Sequence, residues 1–149
     1  MRTLKQTRGF TLIELVVVIV ILGILAATAA PKFIDLTGDA KKSIVQGVQG
    51  ALNSAADLAH AKALVESKTA SSGQSIIVDG ETINLINGWP TNGKIDDLVN
   101  LEDITIGTSG SFATFQYTGS DPGMCLVYYN NDTQSTEERP TIKIIDDGC

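Results

Sequence analysis

The chain has 149 residues, 43% of them hydrophobic and 19% charged, with a formal net charge of −6. That length suits one domain, and the acidity disfavours general nucleic-acid binding, which relies on Lys/Arg contacts to phosphate; no nucleic acid is expected as a partner. Two cysteines outside any Cys-x-x-Cys motif and a single histidine exclude a four-ligand zinc site. No Gly-x-Ser-x-Gly, complete Gly-x-x-x-x-Gly-Lys-Ser/Thr or His-Glu-x-x-His pattern occurs, so no catalytic residue, metal or cofactor is expected and nothing points to an enzyme.

The first nine residues carry Arg2, Lys5 and Arg8 and end at Gly9-Phe10. An apolar run follows with one carboxylate near its start, Glu14, and no further charge from Leu15 to Ala30. A charge at the centre of a membrane span costs about 2.5–3.5 kcal/mol, less near the interface. Glu14 calls either for a partner outside its own chain or for the positive end of its own helix, which favours a carboxylate by about 0.3–1 kcal/mol when exposed. About 20 apolar residues cross a bilayer. Beyond Pro31, the residues Phe33, Leu36, Ala40, Ile44, Gly47/Val48, Ala51, Ala55, Leu58 and Val65 recur at three- and four-residue steps, the spacing of an amphipathic helix. Lys32, Asp35, Asp39, Lys41, Lys42, Gln46 and Gln49 fall on other faces. One helix over about 10–66 would be on the order of 85 Å long at 1.5 Å per residue. A domain of about 100 residues has a radius of gyration near 13 Å. The apolar first half, 10–31, must therefore be buried in a membrane or against copies of itself. Gly23 and Pro31 are its weak points, costing about 1 and about 3 kcal/mol in a helix interior.

The small polar residues 69–75 end the helix. Residues 76–86 form a hairpin pattern around Asp79-Gly80, and Asn87-Gly88-Trp89-Pro90 reads as a turn and a proline-fixed corner. Residues 94–101 (Ile95, Leu98, Val99) suit a short helix. Strand patterns follow at 111–118, with Ala113, Phe115 and Tyr117 on one face, at 125–130, and at 141–145. One long helix followed by strands gives an α+β class, with an antiparallel sheet packed on the polar half of the helix in a head domain, 32–149. Trp89 is expected to pack that head, and His60 to be a surface or packed histidine.

The block Arg8-Gly9-Phe10-Thr11-Leu12-Ile13-Glu14-Leu15, with its basic leader and apolar run, resembles the N-terminus of type IV prepilins. The resemblance covers about a fifth of the chain. It implies the type IV pilin fold and a leader, 1–9, removed by a prepilin peptidase between Gly9 and Phe10, with N-methylation of Phe10. It further implies assembly through Phe10, Glu14, Gly23 and Pro31: Glu14 meets the Phe10 amine of a neighbouring subunit, and the Gly23–Pro31 stretch loosens in the filament. Two plainer readings compete. A secretory signal peptide with a site at Ala27-Thr28-Ala29 has a shorter apolar core, about 7–15 residues, and no carboxylate inside it. A simple membrane anchor explains the length but neither Glu14 nor Gly9-Phe10.

With an export signal in front, the even cysteine count reads as one disulfide, Cys125 to Cys149, formed in an oxidising compartment. By resemblance, the segment it bounds, from Tyr128-Tyr129-Asn130-Asn131-Asp132 through 133–139, is the expected place for outside contacts. Asn131-Asp132-Thr133 also fits a glycosylation sequon, and Asp132, Glu137, Glu138, Asp146 and Asp147 are candidate oxygen ligands for calcium without an EF-hand pattern. The nine-residue leader and Phe10 point to the type IVa group. The run from Leu15 to Phe33 followed by Asp35-Leu-Thr-Gly-Asp-Ala-Lys looks like pilins of the mannose-sensitive haemagglutinin type.

The resemblance thus implies an adhesive type IV pilus serving surface attachment and biofilm growth. The implied partners are further pilin subunits as a homopolymer, the prepilin peptidase, the inner-membrane assembly machinery and a host or surface glycan receptor. The implied location is the inner membrane before assembly and an extracellular pilus on a Gram-negative cell afterwards. The alternatives are a pseudopilin of type II secretion, whose major form lacks this terminal disulfide and binds calcium, and a DNA-uptake pilin, which the acidity disfavours. A peptidase reaching the leader junction has no room for a side chain at Gly9. Gly9→Val should leave full-length precursor in the membrane, and mass spectrometry showing normal protein beginning at N-methylated Phe10 would contradict this.

Overall fold

The computed structural model describes residues 9–131 and 139–149, and for 30–36 the backbone alone. The chain divides into two compact units, Met1–Thr37 and Gly38–Cys149. One helix, α1, Leu12–Val65, contributes to both. Its backbone is helical at Gly23 and at Pro31. It ends in a Schellman arrangement: Lys68 N–H donates to Ala63 O at 2.8 Å and Ser67 N–H to Leu64 O at 3.1 Å, with Ser67 left-handed at φ 55°.

Within the second unit, seven antiparallel strands form two sheets. β1 (Gln74–Val78), β2 (Glu81–Ile86) and β3 (Trp89–Pro90) make the first, in that order. Asp79-Gly80 and Asn87-Gly88 close its two hairpins with positive φ at both central residues, the condition of a type I′ turn. The proline-fixed corner expected at Trp89-Pro90 is therefore a short strand paired with β2, and Pro90 sits where proline is tolerated, on an edge. The helix expected over 94–101 shrinks to a single 3₁₀ turn, Asp96–Leu98, while Ile95 is fully buried.

The second sheet runs β4 (Ile104–Ser109), β5 (Phe112–Tyr117), β6 (Leu126–Asn130), β7 (Thr141–Ile145) in chain order. Three of these match the sequence pattern. β4 was not anticipated: its residues are exposed or half-buried, so it carries no buried alternation to read.

The core forms where α1 meets both sheets. Val45, Val48, Leu52 and Ala56 pack with Ala113, Phe115, Val127 and Tyr129 from the second sheet and with Trp89 and Ile95. One turn further on, Ala59 and Ala63 pack with Ile76, Ile83 and Leu85 from the first. The buried face of α1 is thus not the stripe read from sequence. Ile44 is 40% exposed, Leu58 73% and Val65 86%, while Ala40 and Gly47 are exposed too. Val45, Val48, Leu52, Ala56, Ala59 and Ala63 satisfy helical spacing equally well, and alanine and glycine on several faces leave little contrast between the two solutions.

Hydrogen bonds join the two sheets. The Tyr129 hydroxyl donates to Pro90 O at 2.7 Å, and burial pushes that phenol above its ordinary pKa. The buried Asn131 donates its side-chain N–H to Trp89 O (3.1 Å) and Pro90 O (3.0 Å), and its main-chain N–H to Asn92 Oδ1 (2.7 Å). Asn92 in turn donates to Ser111 O. Removing the Asn131 amide takes a donor from Trp89 O and leaves Pro90 O with Tyr129 alone, a loss of about 1–3 kcal/mol. Asn131→Asp should cost more, about 3–5 kcal/mol, because a buried carboxylate would face acceptors only. Urea unfolding of the detergent-solubilised protein, followed by Trp89 fluorescence, checks the order; Asn131→Asp as stable as Asn131→Ala would contradict the donor role.

Candidate assembly junction and C-terminal segment

Within the first unit, every described side chain from Phe10 to Thr28 is exposed. Leu12–Ala29 is long and apolar enough to cross a membrane, and none of it is buried within the chain. Phe10 is 92% exposed, directly before the helix. Residues 1–8, with Arg2, Lys5 and Arg8, lie outside the described residues, as does the side chain of Pro31. At Gly23 a Cβ would meet nothing within 4 Å, so no contact inside the chain demands glycine there.

The start of α1 is a capping box. Thr11 N–H donates to Glu14 Oε2 at 2.8 Å, Thr11 Oγ1 donates to the same oxygen at 2.8 Å, and Glu14 N–H donates to Thr11 Oγ1 at 3.3 Å. Glu14 therefore has a local task at its own helix end, through bonds to Thr11 that the sequence reading did not assign. The signal was present: Thr11-x-x-Glu14 before an apolar run is the capping-box pattern. The box uses one carboxylate oxygen, and Oε1 has no partner among the described residues. Phe10, Ile13, Glu14, Val17 and Val18 line a shallow groove whose surface is apolar.

The disulfide joins Cys125 to Cys149, with Cα atoms 4.8 Å apart. Cys125 is fully buried in the main core. Its N–H donates to Asp147 O at 3.1 Å, and Lys42 on α1 pairs with Asp146. Part of the segment it bounds is interior. Tyr129 and Asn131 are interior residues, so the sequon asparagine is occupied by main-chain carbonyls. Residues 132–138, including Asp132, Glu137 and Glu138, lie outside the described residues. Arg139 pairs with Asp57 at 2.7 Å. Among the described residues no group of three His, Cys, Asp or Glu side chains is placed to hold a metal ion. His60 stacks on Trp89 with ring centroids 3.9 Å apart and donates Nδ1–H to Gly88 O at 3.0 Å.

The Lys42 ammonium beside Asp146 holds its carboxyl below the usual range, and that same carboxylate raises Lys42. A depressed carboxyl stabilises above its unfolded pKa and loses that contribution as pH falls through the folded one. A raised amine contributes below its unfolded pKa and loses it as pH rises through the folded value. The tail around Cys149 should thus be held at neutral pH and loosened in acid. Phosphine reduction of the disulfide should run faster at about pH 3 than at about pH 6, since carboxylates titrate near 4. Asp146→Asn should abolish most of that difference; an unchanged difference would remove the ion pair from the account.

Comparison with known proteins matches residues 4–30 to the prokaryotic N-terminal methylation motif. The Type IV narrow pilus major component PilA5 of Thermus thermophilus is 48% identical over 58 residues, 39% of this chain and 50% of that protein. The chain thus spans about half the length of that relative. Fimbrial protein EcpC of Eikenella corrodens is 31% identical over 122 residues, covering 79% of this chain and 80% of its own length. Type II secretion system core protein G of Pseudomonas aeruginosa is 44% identical over 54 residues, but that covers 36% of this chain and 38% of the relative. No solved structure gives a significant match.

Proposed function

This chain belongs to the type IV pilin family, and we propose that it is a structural subunit that polymerises into an adhesive pilus for surface attachment and biofilm growth. One observation carries the reading: an uncovered apolar helix, entered through Gly9-Phe10, bears a single half-used carboxylate at its start. A membrane holds that helix before assembly, and the same helices of neighbouring copies cover it afterwards. A prepilin peptidase cuts after Gly9 and the new Phe10 amine is N-methylated. Glu14 keeps its Thr11 bonds on Oε2 and accepts a neighbour's Phe10 ammonium on Oε1. Gly23, which no contact within the chain requires, lets the stretch towards Pro31 loosen when copies pack.

The head, with its disulfide, is the exposed part of the filament and carries the surface contacts, with a glycan receptor as the partner class. The precursor resides in the inner membrane of a Gram-negative cell, served there by the assembly machinery. No catalytic, cofactor or metal role is assigned. The pseudopilin reading draws on a relative that matches little more than a third of the chain, whereas a fimbrial relative matches nearly four fifths.

The local and intersubunit tasks of Glu14 separate by mutation. Thr11→Val removes the cap hydroxyl and should cost about 1 kcal/mol of helix-end stability, leaving filaments present. Glu14→Ala strips the partner from a buried ammonium, a defect of about 3–5 kcal/mol at each subunit. Cleaved, membrane-resident protein with few or no filaments is the expected phenotype. Electron microscopy of both strains is the check; wild-type filament numbers in Glu14→Ala would leave Glu14 as a capping residue only.

A further inference from the structure

We infer that β4 is a self-pairing edge, through which a second copy of this chain in another filament docks by antiparallel main-chain hydrogen bonding. The inference rests on the pilin reading for the existence of filaments, and on the head's own strands for the contact. Three of the four sheet edges each meet at least one side-chain donor from within the chain. Lys62 Nζ donates to Ile77 O on β1, Tyr129 and Asn131 donate to Pro90 O on β3, and Gln49 Nε2 donates to Ile142 O on β7. β4 has no such partner among the described residues, and five of its six residues are exposed. Soluble proteins blunt such an edge with charge, proline, a bulge or a very short strand. β4 has none of these, and residues 104–120 carry no charge at all.

The direction of its free groups follows from the ladder. Thr118 N–H donates to Asp103 O at 2.9 Å, and Gly110-Ser111 closes the hairpin on the pair Ser109 and Phe112. In an antiparallel ladder, residues bonded to the partner strand alternate with residues facing away. Asp103, Thr105, Gly107 and Ser109 therefore bond towards β5, while the main-chain groups of Ile104, Ile106 and Thr108 point off the sheet. An identical strand related by a two-fold axis at Ile106 satisfies all of them, pairing Ile106 with Ile106 and Ile104 with Thr108. A two-fold at Gly107 would also set Ile106 opposite Thr108, but it would carry Ile104 against Gly110 in the turn, so fewer of the strand's free groups would be met.

The side chains agree with that register. Ile106 shares the face of Phe115 yet remains 46% exposed, and its symmetry mate would cover it. Thr105 falls opposite Gly107, where the missing side chain leaves room. Electrostatics favours the same surface: the chain is net acidic, more so without Arg2, Lys5 and Arg8, so copies repel one another, and the uncharged hairpin can approach its own copy without a like-charge contact. A two-fold contact closes on itself. Subunits added head to tail share one orientation along a filament, so such a contact links one filament to another and does not extend either.

Cysteine cross-linking of purified filaments tests the register. A hydrogen-bonded antiparallel pair has Cα atoms about 5.5 Å apart, within the span a disulfide bridges. Thr105 would lie about 8 Å from its own mate, given the two-residue offset, beyond the bridging limit of about 7 Å. Oxidised Ile106→Cys filaments should give covalent dimers of the whole chain roughly tenfold above Thr105→Cys filaments. Ile106→Lys should leave filament number unchanged and disperse bundles under the electron microscope. Absent dimers, equal dimers from both cysteines, or bundles that persist in Ile106→Lys would each overturn the proposal. Loss of filaments in Ile106→Lys would place β4 inside the shaft and overturn it too. A wild-type strain without filaments would instead be a failure of the pilin reading, seen before any variant is made.

Discussion

Everything in this chain is arranged around an apolar helical segment that its own fold leaves uncovered. Leu12–Ala29 buries nothing within the protein, and its large side chains from Phe10 to Leu25 are all exposed. Fully burying one Val, Leu or Ile side chain is worth about 1.5–3 kcal/mol, so this segment cannot remain in water. Lipid and neighbouring copies are the two environments that satisfy it. Glu14 makes the difference between them. Lipid offers the carboxylate no new partner, whereas a neighbour's amine offers one in a site otherwise closed to charge. Within one chain, half of the Glu14 acceptor capacity serves Thr11, and under the proposed assembly the rest awaits a neighbour.

The second unit solves a different problem, since a head of little more than a hundred residues must hold two separate sheets on one helix. The hydrophobic contribution comes from consecutive turns of α1, with Val45 to Ala56 serving the four-stranded sheet and Ala59 and Ala63 the three-stranded one. Registration between the sheets is set by polar groups. Tyr129 and Asn131 at the end of β6 take up the carbonyls of β3, and the disulfide with the Lys42–Asp146 pair holds the tail beyond β7. Such a buried polar network is costly when incomplete, which makes Asn131 more critical than its loop-like sequence context suggests.

How much of this could be read in the sequence varied with the kind of signal. The apolar run and the α+β class were legible because length and charge placement are local properties. The Asp79-Gly80 hairpin was legible because its turn chemistry is, and the two thiols left one intramolecular pairing. The buried face of α1 was largely misread: Val48 was in the expected stripe, but Ile44, Leu58 and Val65 draw the eye by size, whereas the tertiary core selected Val45 and Leu52. β4 escaped notice because an exposed edge strand leaves no buried alternation. Asn131 looked like part of an exposed loop, because nothing local records that β3 would bring two carbonyls to it. Thr11 was overlooked although its capping pattern was visible.

The central claim is that Glu14 completes its coordination with another subunit's N-terminus. A filament structure from electron cryomicroscopy, at a resolution that places side chains, tests it most directly. The account predicts Glu14 Oε2 still bonded to Thr11 and Oε1 within hydrogen-bond distance of a neighbour's Phe10 nitrogen. Glu14 bonded only within its own chain, with the neighbouring Phe10 nitrogen satisfied elsewhere, would contradict it.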